Sequence, residues 1–140
     1  MLSSRDMPGS MVIMDFKAPA GFGPPRHVHR KDDEIFLVKR GHIALWTPLH
    51  CGTAGPGDLV ALPAGLAHAW RACDEEAVEM EIITSPGEFE TFFHDIVERD
   101  LTLRDVEELT DVASMAGMDI LGPPLTAEEA DIIFSAGRVY

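Results

Sequence analysis

The sequence lacks, or has little of, four features that would each indicate a particular class of protein. It has two cysteines in 140 residues, too few for a disulfide-stabilised secreted scaffold, which fits a reducing compartment. Its 11 lysines and arginines face 24 aspartates and glutamates, and the net charge of −13 argues against nucleic acid or an anionic membrane as a partner. No apolar run approaches the roughly 20 residues of a membrane span. Residues 1–7 also lack the apolar core of a secretory signal, so we expect a soluble cytoplasmic protein.

The first part of the chain has the pattern of a β protein. A length of 140 residues fits one domain that can bury a hydrophobic core without needing disulfide bonds or a structural metal for stability. Residues 10–84 alternate short strand-like segments with Gly and Pro turns. From Val78 to Thr84, for example, Val78, Met80 and Ile82 fall on one face and two glutamates on the other. This alternation predicts a half-buried strand.

The period becomes helical after residue 85. A first amphipathic helix is indicated by five apolar residues at helical spacing: Phe89, Phe92, Phe93, Ile96 and Val97. A second helix is expected from Thr102, with Asp105 as its capping partner, to Gly117. A third is expected from Thr126, with Glu129 as its capping partner. We expect these helices to pack on the β core and not to form an independent domain.

Three histidines and one glutamate lie at regular positions in two clusters, of which the first contains His27, His29 and Glu34. Side chains alternate along a strand, so His27 and His29 point the same way if this segment is extended, as the two preceding prolines favour. Glu34 lies an odd number of positions beyond His29 and faces the same cavity only if the strand breaks. The polar run at 30–33 supplies the turn, after which 34–38 restarts as a strand.

The second cluster contains Gly57, Pro63, Gly65 and His68, with two tight turns around the short apolar segment 59–62. We expect His68 to open the following strand and to supply a fourth ligand. Three neutral imidazoles and one carboxylate suit a divalent ion of iron, nickel, copper, manganese or zinc, and leave positions open for water or substrate. The predicted metal ligands are therefore His27, His29, Glu34 and His68.

These two clusters resemble, position by position, the two sequence motifs of the cupin superfamily. In cupins the matching positions bind the metal. The resemblance implies a mainly β fold, the cupin-type double-stranded β-helix or jelly-roll barrel, with a barrel core at 10–85. It also implies a helical C-terminal extension at 86–140, packed on the same domain. The second motif usually ends with asparagine four residues after its histidine, whereas this sequence has Ala72 at that position. The asparagine is not a metal ligand in the family pattern, so the departure concerns the turn and not the metal ligands.

A second resemblance, through residues 84–93 and 121–125, is to small single-domain quercetin 2,3-dioxygenase-like cupins. It implies a metal-dependent dioxygenase that acts with O2 on a flavonol or polyketide-like aromatic enol. Glu34 would be the catalytic residue that takes or shuttles the substrate proton. Two alternatives stay open. The same site with a non-redox metal would act as a Lewis acid in cyclisation, isomerisation or decarboxylation, and a cupin without turnover would be a small-molecule-binding module.

Three apolar residues are predicted to line a substrate pocket beside the metal ligands: Phe36, Trp70 and Met80. Phe36 and Trp70 lie two residues beyond Glu34 and His68, which aims them into the same cavity. Both positions also fit residues of the barrel core.

Two further expectations concern residues outside the site. The remaining histidines, His42, His50 and His94, are expected to be ordinary surface or core residues, since spacing links none of them to the clusters. Barrels of this kind commonly dimerise through exposed sheet edges. We therefore expect a homodimer formed through the first strand, with the apolar side chains of Met11 and Ile13 in the interface.

Overall fold

The chain folds as a series of short antiparallel strands followed by three helices and one further strand. The computed structural model describes residues 2–3, 5–6, 9–102 and 104–137. The strands in this part of the chain are β1 (Val12–Ala18), β2 (Pro25–His29), β3 (Asp33–Arg40), β4 (Ile43–Trp46), β5 (Cys51–Ala54), β6 (Leu59–Leu62), β7 (Ala69–Ala72), β8 (Val78–Ser85) and β9 (Met118–Pro124). The helices are α1 (Glu90–Glu98), α2 (Val106–Met115) and α3 (Ala127–Ala136).

The strands form two layers. In the first layer, β1, β8, β3 and β6 lie side by side in that order, and all neighbours are antiparallel. The second layer contains a three-stranded sheet, β5-β4-β7, and a two-stranded sheet, β2-β9. An antiparallel bridge between His27 and His68 joins these two sheets. Neighbours that are distant in sequence, such as β1 and β8, characterise a jelly roll, so the predicted mainly β jelly-roll barrel is confirmed.

A hydrophobic core built from strands of both layers fills the barrel. Strand β8 shows how the sequence produces it: Val78, Met80 and Ile82 are 0%, 1% and 6% exposed, whereas the residues between them are half-buried. The alternation predicted for this strand is therefore confirmed. Phe36 of the first layer and Leu45 of the second, each 1% exposed, belong to the same core cluster.

The three predicted helices are present, but α2 begins later than predicted. Helix α1 carries the phenylalanine-rich stripe, and α3 has the predicted capping box between its N-cap threonine and a glutamate. Helix α2 begins at Val106 and not at Thr102. The carboxylate of Asp105 accepts hydrogen bonds from the backbone and hydroxyl of Thr102, at 2.7 and 2.9 Å, which forms a turn ahead of the helix. The described helices have at most ten residues, and none combines the length and apolar character needed to cross a membrane.

Strand β9 lies inside the region that the sequence predicts to be helical. It pairs with β2, with Ile120 opposite His27 and Met118 opposite His29. The sequence does not predict this strand because the segment 122–124 contains one glycine and two prolines, which are unfavourable inside a β-sheet. These residues lie where the register of the β2–β9 pairing shifts. The extension is therefore partly stranded, and it lies directly beside two of the candidate metal ligands.

The outer edge of β1 is partly covered by the chain itself. The backbone N–H of Leu2 donates to the carbonyl of Ile13 at 3.1 Å, and the N–H of Ile13 donates back at 2.8 Å. The predicted homodimer interface would lie at this edge, and it stays a prediction. Leu103 and residues 138–140, which the helix and extension predictions cover, lie outside the described residues.

Candidate metal centre

Four polar side chains converge inside the barrel. His27 and His29 come from β2, Glu34 from β3, and His68 from the residue before β7. Their ligand atoms all lie within 4.8 Å of one another, and the four residues are only 1–5% exposed. Strand β2 ends at His29 and β3 begins at Asp33, so Glu34 enters the cluster from a new strand, as its odd spacing requires. The structure thus brings together all four residues that were predicted as metal ligands.

Backbone hydrogen bonds hold the two sequence clusters against each other. The N–H of His27 donates to the carbonyl of His68 at 3.0 Å, and the N–H of His68 donates back to His27 at 2.9 Å. The N–H of Gly65 donates to the carbonyl of His29 at 2.8 Å, and Gly65 has a φ of +83°, which glycine adopts without strain. Ala72, at the position that departs from the family pattern, ends strand β7 with its N–H bonded to the carbonyl of Phe22 at 2.8 Å. The strand therefore forms without the asparagine.

The backbone also determines which ring nitrogen of two histidines faces the cluster. Nδ1 of His27 lies 2.7 Å from the carbonyl oxygen of Pro25, and Nδ1 of His68 lies 3.1 Å from that of Leu66. Because a carbonyl oxygen only accepts, each Nδ1 carries a proton, and in the neutral ring each Nε2 keeps its lone pair. Burial first, and then the neighbouring His68, lower the pKa of His27 to about 4, so this ring is neutral at pH 7.

Ring nitrogens of two histidines, His29 and His68, lie against one carboxylate oxygen of Glu34. Oε2 is 2.9 Å from Nε2 of His68 and 3.3 Å from Nε2 of His29. Burial by itself raises the pKa of Glu34, but the imidazoles of His29 and His68 outweigh burial and hold the pKa well below its usual range. An ionised carboxylate and the lone pair of a neutral ring repel each other. The arrangement therefore needs a shared cation, either a proton or a metal ion.

The surroundings of His29 also fit a bound cation. Both ring nitrogens of His29 are buried and have no hydrogen-bond partner in the described part of the chain. A buried group in this state costs about 1–3 kcal/mol unless something satisfies it. Two atoms that ligate one ion at about 2.1 Å each would lie about 3–3.5 Å apart, which is close to both contacts of Glu34. The donor set and its spacing fit a divalent transition metal, and the cluster could hold one such ion.

The three residues predicted to line the substrate pocket lie in the hydrophobic core. Phe36, Trp70 and Met80 are 1%, 3% and 1% exposed. The ring centroid of Phe36 is 6.4 Å from that of His68 and 6.3 Å from that of Trp70, so Phe36 is next to both the cluster and Trp70. A cleft in the surface lies elsewhere, between the end of β7 and α3. Contact of the three predicted residues with a substrate stays a prediction.

The other histidines lie outside the cluster, as expected. The side chain of His42 is 54% exposed, with Nδ1 2.7 Å from the carboxylate of Glu76. The side chain of His94 on α1 is 56% exposed, and His50 is also exposed.

Three residues beside the cluster were not predicted from the sequence. The hydroxyl of Thr84 is fully buried opposite Glu34 in the β3–β8 pairing and has no hydrogen-bond partner among the described residues. The ring of Phe89 packs on His29, and the carboxylate of Asp32 is buried near it. In the sequence, Asp32 belongs to a polar turn and Phe89 to the apolar face of a predicted helix. Only the tertiary fold places them at the cluster.

Comparison with known proteins identifies the class of protein. The sequence model of the cupin domain matches residues 14–85, just over half of the chain. The chain therefore belongs to the cupin family. Over 91 residues it is 28% identical to the quercetin 2,3-dioxygenase of Bacillus subtilis strain 168, a match that covers 65% of this chain and 27% of that enzyme. The matched segment thus spans about a quarter of the length of this relative.

Solved structures agree on the fold. A cupin-like protein from Thermotoga maritima superposes with a TM-score of 0.64 at 16% identity, over 95% of this chain and 80% of that one. The polyketide cyclase RemF from Streptomyces resistomycificus superposes with a TM-score of 0.53 at 19% identity, over 60% of each chain. At these identities the similarity concerns the fold alone.

Proposed function

We propose that this protein is a metal-dependent cupin enzyme, a quercetinase-like dioxygenase that acts with O2 on a flavonol or polyketide-like aromatic enol. The observation that carries the metal-dependent part is the contact of two histidine Nε2 atoms with one ionised oxygen of Glu34, at 2.9 and 3.3 Å. The partial match to a quercetin 2,3-dioxygenase supports the choice of reaction. The expected partner is therefore a small molecule, and the expected cofactor is a divalent ion of iron, nickel, copper, manganese or zinc.

In this proposal His27, His29, Glu34 and His68 hold the ion. When bound, the ion would acidify an enol and bring it together with O2. The lowered pKa of Glu34 keeps its carboxylate ionised at neutral pH, so the carboxylate is available to accept the enol proton. A pKa this low makes Glu34 a weak base unless the substrate is acidified in the same step. Proton transfer to Glu34 is therefore proposed only together with metal binding.

The surrounding apolar residues would exclude water from the reacting groups. Phe36 is next to His68 and Phe89 is next to His29, with ring centroids 6.4 and 4.6 Å away. The unpartnered hydroxyl of Thr84 lies across the strand pair from Glu34 and would be satisfied by a polar atom of a bound molecule. Both features suit a planar aromatic molecule with an oxygen substituent.

A second candidate follows from the same donor set. Three imidazoles and one carboxylate also bind zinc, which has no redox chemistry. With zinc the site would polarise a ketone or enol and support cyclisation, isomerisation or decarboxylation. A cupin that binds small molecules without turnover is the third candidate.

Metal analysis of the protein purified without added metal separates these candidates. Iron, copper, nickel or manganese together with O2 consumption on flavonols would support the dioxygenase. Zinc with substrate turnover but no O2 consumption would support Lewis-acid chemistry. A protein that is purified without metal and fails to bind added metal would contradict the enzyme proposal and leave the binding module.

Two variants divide the roles within the site. Glu34→Gln should keep some metal, because three imidazoles remain, but should lower turnover by roughly a hundredfold, the scale for removing a general base. His68→Ala should lose metal and activity together. Full turnover by Glu34→Gln on an identified substrate would reduce Glu34 to a structural ligand and favour the Lewis-acid candidate.

A further inference from the structure

His29 is the one histidine of the cluster whose ring is not oriented by a hydrogen bond within the described residues. Its ring packs edge-to-face against Phe89, with centroids 4.6 Å apart and planes at 79°. Its other contacts are with members of the cluster itself: the rings of His27 and His68, and Oε2 of Glu34, which is 3.3 Å from Nε2. Among these contacts, Phe89 is the one from outside the cluster, and its edge-to-face packing constrains the plane of the His29 ring and so the direction of its nitrogen lone pair.

A buried carboxylate holds the backbone that carries Phe89. Asp32, 3% exposed, lies in the turn between β2 and β3. Its Oδ1 accepts hydrogen bonds from the N–H groups of Gly87 and Glu88, both at 3.2 Å, and its Oδ2 accepts one from the N–H of Phe89 at 2.8 Å. Hydrogen bonds to an ionised acceptor are about twice as strong as neutral ones. Asp32 thus fixes three consecutive residues at the point where the chain enters α1.

The position of Asp32 suits this role. Phe89 is the N-cap residue of α1, and its side chain makes no capping hydrogen bond. Asp32 supplies a negative charge there from a different part of the chain, where the helix dipole favours it. Asp32 also lies between His29 and Glu34 in the sequence, while the Phe89 to which it bonds is 57 residues away. The turn between β2 and β3 therefore contains the residue that binds the backbone of Phe89, and it also connects the candidate ligands His29 and Glu34.

We propose that Asp32 is a positioning residue for the metal centre. Its carboxylate fixes the backbone of residues 87–89, and the ring of Phe89 then holds the imidazole of His29 in the orientation that ligates the ion. This inference rests on the proposed metal-binding function. Asp32 is not one of the four converging side chains, so it acts through Phe89. Partners that orient a metal ligand typically contribute ten- to a hundredfold to metal affinity.

The test measures the affinity for Zn²⁺ by competition with a chelating dye. Asp32→Ala and Phe89→Leu should each weaken binding by about ten- to a hundredfold. Asp32→Asn should have an intermediate effect, because an amide keeps only one of the two acceptor oxygens. The double variant Asp32→Ala/Phe89→Leu should be within about threefold of the weaker single variant, because both changes act through one contact.

A spectroscopic measurement separates positioning from general destabilisation. In the Cu²⁺-loaded protein, electron paramagnetic resonance should show three coordinated imidazole nitrogens in the wild type and two in Asp32→Ala and Phe89→Leu. Asp33→Ala is the matched control, since the exposed carboxylate of Asp33 accepts a hydrogen bond from Ala64 at 2.8 Å on the other side of the turn. It should leave the Zn²⁺ affinity within about twofold and retain all three nitrogens.

The outcomes distinguish this inference from the proposed function. A wild type that binds neither ion would overturn the metal centre and the role of Asp32 with it. A wild type that binds, with Asp32→Ala no weaker than Asp33→Ala, would overturn only the role of Asp32. Losses that multiply in the double variant would also overturn it. If Asp32→Ala fails to fold, Asp32→Asn and Phe89→Leu provide the same comparison.

Discussion

Two parts of the candidate metal centre are supported in different ways. On one side, His27 and His68 are oriented by carbonyls two residues before each of them, and their backbones are bonded to each other. On the other side, His29 has no such bond among the described residues and packs against Phe89 from the C-terminal extension. The first side depends on backbone contacts within the barrel itself. The second depends on a contact that forms only when α1 packs on the barrel. The extension is thus part of the site.

The largest expected effect comes from removing each histidine as a ligand. His29→Leu and His68→Leu should each weaken Zn²⁺ binding by at least about a hundredfold, because a four-ligand site with about 10–16 kcal/mol of binding free energy loses roughly a quarter of it. Isothermal titration of the refolded, metal-free variants measures this. Wild-type affinity in either variant would remove that histidine from the ligand set.

The same two variants should differ in the stability of the metal-free protein. His68→Leu leaves the carbonyl of Leu66 without its donor and should lower the free energy of unfolding by about 1–3 kcal/mol. His29→Leu removes no hydrogen bond of the described chain but does remove the 3.3 Å contact of Nε2 with Oε2 of Glu34, so it should lower the free energy of unfolding by less than His68→Leu does. Urea denaturation with a chelator present checks this. Equal losses in both variants would contradict the difference between the two sides.

The pH dependence of stability tests the buried state of His27. Its pKa is about 4 in the folded protein and about 6.5 in the unfolded chain, so the unfolded state takes up the proton first as the pH falls. The contribution of His27, about 3 kcal/mol, is therefore present above pH 6.5 and lost as the pH falls toward 4. Urea denaturation of the metal-free protein between pH 7 and 5 should show the start of this loss. The variant His27→Gln should show a smaller slope, and an unchanged slope would contradict the assignment.

A pair of phenylalanine variants compares the two sides directly. Phe89→Leu should weaken Zn²⁺ binding at least tenfold, whereas Phe36→Leu, at the hydrogen-bonded His68, should stay within about threefold. Phe36→Leu should instead lower stability by about 1 kcal/mol, because Phe36 is a core residue at 1% exposure. Equal losses of affinity would show that both rings, or neither, orient a ligand.

The smallest expected effect on the site comes from the predicted dimer. The edge of β1 carries Met11 and Ile13, and Ile13→Glu should convert a dimer into a monomer while Zn²⁺ affinity stays within about twofold. Light scattering of the wild type at micromolar concentration should give twice the chain mass of 15.3 kDa. A wild-type mass of one chain would contradict the predicted homodimer.

The sequence was sufficient where a residue's environment is local. The side-chain alternation of His27 and His29, the strand break before Glu34 and the capping box of α3 all follow from neighbouring residues, and the structure contains each of them. The family pattern supplied the long-range step to His68. Strand β9 was not predicted because its glycine and prolines suppress the strand signal and its partner β2 lies far away in sequence.

The support of His29 could not be predicted for a similar reason. Asp32 is one of four polar residues in a turn, and no local pattern distinguishes it from Asp33. Its burial follows from the return of the chain after β8, which brings three N–H groups to its carboxylate. Thr84 is similar, since only the pairing of β3 with β8 places its hydroxyl opposite Glu34.

X-ray absorption at the metal edge tests the central claim most directly. The protein loaded with one equivalent of Zn²⁺ should show four or more nitrogen and oxygen ligands at about 2.0–2.2 Å, with the outer-shell scattering of three imidazoles. The variant His68→Ala, loaded with excess Zn²⁺, should lose one imidazole from this signal. A spectrum without imidazole scattering, or with sulfur from Cys51 or Cys73, would show that the ion binds elsewhere and would contradict the assignment of His27, His29, Glu34 and His68.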